Sequence, residues 1–377
     1  MRTGFSEEYD TDVPIVQAAL GVVSMPPLVA AVSNAGGMGT LGAVGAPLMS
    51  AVELRALIAA TRSLTRRPFG VNFITPLVNE EHVATCITER VPVVSFHLGD
   101  PPESYIERLR EAGVRVWMQV GSVTAARAAV RAGVDAVIAQ GSEAGGSNRS
   151  TAGVMTLVPG VVDAIAPVPV IAGGGIADGR GLVAALALGA DAVWVGTRFV
   201  ASREANARTD YKRRIVAAQD GDTVMTSIFH GVERLRRPVR ALCNRVVRAW
   251  MGREPEPQTA ARARQIGRTE LGGRIVPLHE FSTLLPTPET TGDLEEMCLL
   301  AGESAALVHD ILPAAGIVRS MMREAREVVL ERFGVPLPAL LDADGSAGRV
   351  DGAGLLGLVS AAGFRAADQH GRHGRGL

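Results

Sequence analysis

The sequence predicts an α/β protein: a (β/α)8 barrel of the TIM type, followed by a small, mostly helical C-terminal addition. Short apolar runs alternate with amphipathic, alanine-rich segments from residue 13 to residue 200. Glycines stand just before several apolar runs, where a helix commonly ends on a left-handed residue. Eight strands within about 185 residues fit a closed parallel barrel better than an open doubly wound sheet.

The predicted strands and helices follow one another in strict alternation, which is typical of right-handed βαβ units and a parallel sheet. The strand candidates are 13–18, 38–42, 69–74, 92–97, 114–119, 135–140, 169–173 and 191–196. The helix candidates lie near 24–35, 47–61, 79–90, 103–112, 122–132, 157–165 and 178–188. Gly113, Gly133 and Gly189 are the expected helix C-caps.

The pattern changes after residue 204, so we assign the barrel to residues 1–204. Residues 205–300 show no repeated strand signal, and we predict a helical lid or insert there. Residues 301–340 are expected to form C-terminal helices that return to the barrel. Residues 341–377 are rich in Gly, Ala, Arg and His, which predicts a flexible tail.

Composition restricts the class of protein. With 47% hydrophobic and 20% charged residues, the chain can bury a large core. A net charge of −1 favours neither nucleic acid nor an acidic membrane as a partner. The three cysteines lie far apart, which argues against a disulfide framework or a metal site. Without an apolar leader or a run of about 18 apolar residues, we expect a soluble cytoplasmic protein.

Ligands of a parallel barrel bind at the carboxyl ends of its strands, and here those ends carry amides and glycines. They comprise Gln17-Ala18-Ala19, Asn72, His97, Gln119, Gln140 with the loop to Ser147, Gly173-Gly174-Gly175 and Gly196-Thr197. Carboxylates and metal ligands are scarce among them. Amide groups and bare backbone N–H groups suit a flat heteroaromatic ring with carbonyl and imide groups, and not a divalent metal.

Each of these residues also has a purely structural interpretation. The glycines at 173–175 and 196 would let N–H groups bind a phosphate, or they would only permit tight turns. His97 is either a structural hydrogen-bonding residue or part of a substrate pocket. Asn72 and Gln119 either contact a ligand or hold loops in place.

Several segments, in their order and spacing, resemble the nitronate monooxygenase family, formerly called 2-nitropropane dioxygenases. They are Pro14-Ile-Val-Gln-Ala18, Ser33-Asn-Ala-Gly-Gly-Met-Gly-Thr-Leu-Gly42, Phe69-Gly-Val-Asn-Phe73, Ser95-Phe-His97, Ala139-Gln-Gly-Ser-Glu-Ala-Gly-Gly146 and Val170-Ile-Ala-Gly-Gly-Gly-Ile176. The resemblance covers residues 12–205 and resumes at 291–297 and 300–308. It implies an FMN-binding TIM barrel, with residues 300–308 covering the cofactor.

Carried over position by position, the resemblance implies a role for each matching residue. Ala18 and Ala19 would lie near the isoalloxazine, and Asn72 and Gln119 would hydrogen-bond to the ring or the ribityl chain. The remaining contacts would be Gln140, Gly145 and Gly146 at the reacting side, Gly174, Gly175, Gly196 and Thr197 at the phosphate, and Gly302 to Ser304 from the C-terminal segment.

The sequence departs from the family pattern at Ser147. The family usually continues Glu-Ala-Gly-Gly with a histidine, and that histidine removes the α-proton of a neutral nitroalkane. An unactivated serine hydroxyl is far too weakly basic for this step, and Arg149 stays protonated. Either the enzyme accepts an anionic nitronate, with Arg149 pairing with the anion, or it runs another flavin reaction in which His97 or a substrate group moves the proton.

The leading hypothesis is therefore an FMN-dependent oxidoreductase that oxidises nitronates, or a related small substrate, with O2. One alternative is an FMN-dependent enoyl-thioester reductase or a specialised biosynthetic flavoenzyme, for which NAD(P)H would be the electron donor. A second is a flavin-binding protein without catalysis. The sequence leaves the substrate, the electron donor and an oligomeric state open.

Overall fold

The computed structural model describes residues 3–44, 49–229, 238–253 and 263–333. Over these residues, eight parallel strands form one sheet. Its strands are β1 (Ile15–Gln17), β2 (Gly39–Ala43), β3 (Phe69–Ile74), β4 (Val93–His97), β5 (Arg115–Val120), β6 (Ala136–Gln140), β8 (Val170–Gly173) and β9 (Ala192–Val195). The two-residue strand β7 (Gly146–Ser147) lies outside this sheet.

The sheet closes between its first two strands. β1 pairs with β9 on one side, and Val16 forms a parallel bridge with Met38 on the other. The Met38 N–H donates to the Ile15 carbonyl at 3.0 Å, and the Gln17 N–H donates to the Met38 carbonyl at 2.8 Å. The predicted TIM barrel is confirmed.

Helices cover the outside of the barrel in the predicted alternation. They are α1 (Gly4–Glu8), α2 (Pro26–Asn34), α3 (Ala51–Leu64), α4 (Glu80–Thr88), α5 (Glu103–Glu111), α6 (Val123–Arg131), α7 (Val154–Ile165), α8 (Gly179–Ala187) and α9 (Thr197–Val200). Gly113, Gly133 and Gly189 follow α5, α6 and α8 with φ of +78°, +91° and +93°. Only glycine adopts this conformation without strain, so the predicted C-caps are confirmed.

Side chains fill the barrel interior, and α1 closes its N-terminal end. Trp117 and Ile138 are fully buried inside, and Phe5 and Tyr9 pack beneath them. The Thr3 hydroxyl donates to the Asp191 carbonyl at 2.7 Å, which holds this segment against the barrel. The opposite end, where the strands reach their carboxyl ends, leaves space for a ligand.

Residues 205–300 differ from the predicted mostly helical addition. The described part contains α10 (Thr209–Val216) and α11 (Arg245–Trp250), together with β10 (Thr223–Thr226), β11 (Val239–Leu242), β12 (Gln265–Leu271), β13 (Arg274–His279) and β14 (Thr291–Gly292). β10, β11 and β7 form one small sheet, and β13, β12 and β14 form another.

Two of the missed strands lie largely at the surface. Most side chains of β12 and β13 are exposed or half-buried, so these strands lack the buried apolar runs by which the barrel strands were predicted. Gly272 and Gly273 join these strands with φ of +56° and +74°. A Gly-Gly pair between two such runs is a known hairpin signal and would have identified them.

The chain then returns to the barrel through α12 (Ala314–Phe333), which packs on α8 and α2. The Gly179 N–H donates to the Glu324 carboxylate at 3.1 Å. Residues 334–340 and the predicted tail at 341–377 lie outside the described residues, and the domain limits remain a prediction. Within the described ranges, no helix is long and apolar enough to cross a membrane.

Close approach of α12 to α8 requires glycine at 179, which gives a first prediction. A Cβ at this position would lie 2.2 Å from the Ala325 backbone nitrogen. We expect Gly179→Ala to lower the free energy of unfolding by about 1–3 kcal/mol, because α12 must move. Gly316→Ala is the matched control, since its Cβ meets nothing closer than 3.7 Å. Urea unfolding of both variants measures this, and equal losses would contradict the packing described.

Candidate functional site

A cavity opens at the carboxyl ends of the barrel strands, beneath residues of the C-terminal addition. Most of the site residues predicted from the sequence line it; Gln17 and Glu303 lie beside lining residues, whereas Gly302 and Arg149 do not line it. The lining residues among them are Ala18, Ala19, Asn72, His97, Gln119, Gln140, Gly145, Gly146, Ser147, Gly174, Gly175, Gly196, Thr197 and Ser304.

Gly302 and Arg149 occupy different places. Gly302 lies directly behind the lining, where its N–H donates to the Thr197 hydroxyl oxygen at 2.9 Å. Arg149 is exposed on the surface. Its buried neighbour Asn148 turns inward and donates to the Gly141 and Ala144 carbonyls at 2.8 and 3.1 Å. This loop closure leaves Arg149 outside, so pairing of Arg149 with an anion in the cavity is a prediction that the structure does not support.

One edge of the cavity consists of bare backbone. Gly174 and Gly175 have φ of +119° and +70°, and their N–H groups find no acceptor within the described part of the chain. The Thr197 hydroxyl accepts from Gly302, so its own hydrogen remains available. Unpaired N–H groups in a glycine turn are a common binding site for phosphate.

Amide side chains line the cavity from β3 and β5, neither of which is next to β8, the strand that leads into Gly174. The Asn72 Nδ2 donates to the Ser95 hydroxyl at 2.9 Å and to the Ser95 carbonyl at 3.3 Å, which leaves the Asn72 Oδ1 as an acceptor. The Gln119 side chain makes no hydrogen bond to any described residue, although it lines the cavity. Both residues therefore keep hydrogen-bonding capacity for a ligand.

Two side chains hold the carbonyl of Ser147. The Gln140 Nε2 donates to it at 3.2 Å, and the His97 Nε2 lies 3.4 Å from it. A carbonyl oxygen only accepts, so the hydrogen of this contact belongs to the His97 Nε2. His97 thus lines the cavity and also hydrogen-bonds to the loop that carries Ser147. It therefore has both predicted positions, in the pocket and as a structural hydrogen-bonding residue. Its Nε2 is not free to act as a base in this arrangement.

The loop that carries Ser147 is fixed from the other side by the C-terminal addition. Ser147 pairs with Val239, and Gly146 pairs with Arg240, in the antiparallel register of β7 and β11. Arg240 donates to the Ser142 carbonyl at 3.1 Å and forms an ion pair with Glu303 at 3.1 Å. The addition is therefore a structural part of the site and not only a cover.

Apolar side chains from the addition cover the cavity, and the sequence motifs did not identify them. They are Phe229, Val239, Leu284, Leu285 and Leu300. Tyr211 also lines the cavity and donates to the Leu300 carbonyl at 2.5 Å. Burial raises the pKa of Tyr211 well above its ordinary value, so the phenol stays neutral. Among the described lining residues there is no Asp, Glu, Lys or Arg.

The floor of the cavity includes Trp194, which the sequence analysis also missed. Trp194 lies on β9 two residues before Gly196, and its side chain points into the barrel interior. Strand alternation could have located it, since every second residue of a barrel strand faces inward.

Comparison with known proteins decides the family. The sequence profile of nitronate monooxygenase matches residues 3–82 and 77–324. The chain belongs to the nitronate monooxygenase family. A probable nitronate monooxygenase of Staphylococcus aureus (strain JH9) is 37% identical, with 58% of this chain and 73% of that protein covered.

Two solved structures share both fold and sequence with this family member. FabK from Thermotoga maritima is 35% identical, with a TM-score of 0.73 and coverage of 89% of this chain and 99% of that chain. A nitroalkane oxidase from Streptomyces ansochromogenes is 31% identical, with a TM-score of 0.68 and coverage of 84% and 96%.

This nitronate monooxygenase family member is thus an FMN-dependent oxidoreductase, as the sequence predicts. The cavity fits that cofactor on its own chemistry. Two unpaired glycine N–H groups suit a phosphate, and amide side chains on other strands of the barrel suit the edge of a flat heteroaromatic ring.

The glycine edge gives a second prediction. An alanine at Gly175 would adopt the left-handed region at a cost of about 1–2 kcal/mol, and its Cβ would lie 3.2 Å from the Glu143 Cγ. We expect Gly175→Ala to raise the dissociation constant of FMN about tenfold or more, because relief of the strain shifts the turn and withdraws an N–H group from the phosphate. A hydrogen bond to a charged group contributes about 1.5–3 kcal/mol, and about 1.4 kcal/mol is one factor of ten. Gly113→Ala has a similar φ of +78° but lies in open space outside the lining. Fluorescence titration with FMN compares the two, and an equal loss of affinity would contradict a phosphate site at Gly175.

Proposed function

We propose that the protein oxidises nitronates, substrates that already carry the negative charge, with O2 as the electron acceptor. The observation that carries this proposal is Ser147 in the cavity lining, whose described residues include no Asp, Glu, Lys or Arg. A neutral nitroalkane needs a base to remove its α-proton. A nitronate has already lost that proton.

FMN would occupy the cavity with its phosphate at Gly174, Gly175, Gly196 and Thr197. Asn72 and Gln119 would hydrogen-bond to the ring or the ribityl chain. The other contacts would come from Ala18, Ala19, Gln140, Gly145 and Gly146 around the ring and from Gly302 and Ser304 in the C-terminal segment. When bound, this cofactor would supply the redox chemistry between the substrate and O2.

The protein's own groups would bind and orient the substrate anion. The Ser147 hydroxyl has no hydrogen-bond partner among the described residues, and the Gln140 amide keeps one N–H beyond its bond to the Ser147 carbonyl. Two neutral donors at the reacting side can bind the nitronate oxygens. The apolar cover from Phe229, Val239 and Leu300 excludes water from this region.

Oxygen uptake with matched substrates tests the proposal. We expect turnover of propionate 3-nitronate and of small alkyl nitronates, and little turnover of the corresponding neutral nitroalkanes below their own pKa. In Ser147→His, turnover of neutral nitroalkanes should rise by about 10²–10⁴-fold, the usual contribution of a general base. Ser147→Asn is the control, since an amide fills similar space without a basic nitrogen.

Two results would count against nitronate oxidation. Absence of O2 uptake with every nitronate, despite bound FMN, would leave a different flavin reaction or a flavin-binding protein without catalysis. Equal turnover of nitroalkanes by the wild type and by Ser147→His would show that another group already removes the α-proton.

An FMN-dependent enoyl-thioester reductase is the second candidate. The apolar cover favours it, because five hydrophobic side chains suit an acyl chain better than a small anion. This activity would require NAD(P)H and space for a pantetheine arm. Anaerobic bleaching of bound FMN by NADPH or NADH, followed by turnover of a crotonyl thioester, would support it. Failure of both steps would remove it.

A further inference from the structure

A row of oxidisable aromatic rings runs through the barrel from the cavity to the opposite end. Trp194 lines the cavity floor. Its ring centroid lies 6.4 Å from that of Trp117 at an interplanar angle of 73°. The Trp117 centroid lies 5.0 Å from that of Tyr9 at 81°. Both pairs have the edge-to-face geometry of direct ring contact.

The row ends at the N-terminal end of the barrel. Tyr9 follows α1 there and is buried, with 5% of its surface exposed, while the adjacent residues Glu8 and Asp10 are exposed. The Trp117 Nε1–H donates to the Tyr9 hydroxyl at 3.0 Å, so the two rings are also joined by a hydrogen bond. The Tyr9 hydroxyl hydrogen has no acceptor among the described residues, and the neighbouring Glu8 is exposed. Burial raises the pKa of Tyr9, which keeps the resting phenol protonated.

The composition of the row is unusual for this chain. The sequence contains three tryptophans and three tyrosines, and two of the tryptophans and one of the tyrosines lie in this row. Phe5 also packs against Tyr9 and Trp117. Further neighbours in the barrel interior are aliphatic, such as Val16, Ile138 and Ile171. Aliphatic residues usually fill the interior of such a barrel, so packing alone does not require these rings. Tryptophan and tyrosine are among the side chains that lose one electron most readily.

We propose that Trp194, Trp117 and Tyr9 form a relay that carries an oxidising equivalent from the cavity to the far end of the barrel. One electron moves from Tyr9 through Trp117 and Trp194 to a one-electron oxidant in the cavity. Tyr9 releases its phenolic proton to water and becomes a neutral tyrosyl radical. A small reductant such as ascorbate then returns one electron and one proton. The oxidants concerned are radicals derived from O2 and, in the test below, light-excited FMN.

The relay protects the cavity from oxidative damage, and it does not depend on which substrate the enzyme oxidises. Its test therefore uses no nitronate. The FMN-loaded full chain is excited with a blue laser pulse, and radicals are followed by transient absorption and by electron paramagnetic resonance after freezing. We expect a tryptophan radical that gives way to a tyrosyl radical, and quenching of the flavin fluorescence.

Single variants assign each step. Trp194→Phe should lose both radical signals and recover flavin fluorescence. Trp117→Phe should keep the quenching and the tryptophan radical but lose the tyrosyl radical, and Tyr9→Phe should leave a tryptophan radical that persists longer. Trp250→Phe is the matched control, since Trp250 packs edge-to-face against Phe281 in the C-terminal addition and lies outside the row. FMN absorbance and melting temperature establish that each variant is loaded and folded.

Tyr211 is the rival electron donor, because it also lines the cavity. Tyr211→Phe should leave the tyrosyl signal intact. The relay would be refuted by a tyrosyl signal that survives in Trp117→Phe and disappears in Tyr211→Phe. Absence of any protein radical in the wild type would refute it as well. If Trp117→Phe fails to fold, the tyrosyl signal of Tyr9→Phe is a sufficient test. An unchanged tyrosyl signal in Tyr9→Phe would also refute the relay.

Discussion

The antiparallel pairing of Gly146–Ser147 with Val239–Arg240 is the interaction on which the site depends most. This pairing connects the glycine-rich loop that follows β6 to the C-terminal addition. The Ser147 carbonyl then receives Gln140 and His97 from the barrel side, and Arg240 links the loop to Glu303 on the other. Barrel and addition therefore determine the position of Ser147 together. A structural change in the barrel or in the addition will therefore shift Ser147 at the reacting side of the cavity.

The chemistry of the cavity follows from the hydrogen-bonding groups that line it and from the lack of charged side chains among the described lining residues. Bare N–H groups at Gly174 and Gly175 favour an anionic group at one edge, while neutral amides line the cavity from other strands. Because charged side chains are missing from the described lining, the site relies on hydrogen-bond donors in a water-poor space, where each donor counts more than it would in water. A serine at 147 matches such a site, since it can donate to an anion but cannot take a proton from carbon.

The barrel and most of the lining could be predicted, because both depend on local patterns. Apolar runs give the strands, glycines such as Gly113 give the helix ends, and strand ends such as Gln119 must meet at one rim. The cover could not be predicted, because Phe229 and Leu285 reach the cavity only through contacts between distant segments. The Gly272-Gly273 hairpin was a readable signal that the prediction overlooked. Arg149 was misjudged because its direction depends on the inward turn of Asn148, which sequence spacing does not reveal.

The most direct test of this account is a crystal structure of the protein with FMN bound. We expect the phosphate oxygens within hydrogen-bonding distance of the Gly174 and Gly175 N–H groups and of the Thr197 hydroxyl. The reacting edge of the ring should face Ser147 and Gln140, with Arg149 remaining in solvent. A phosphate bound elsewhere, or a ring whose reacting edge faces away from Ser147, would contradict the account.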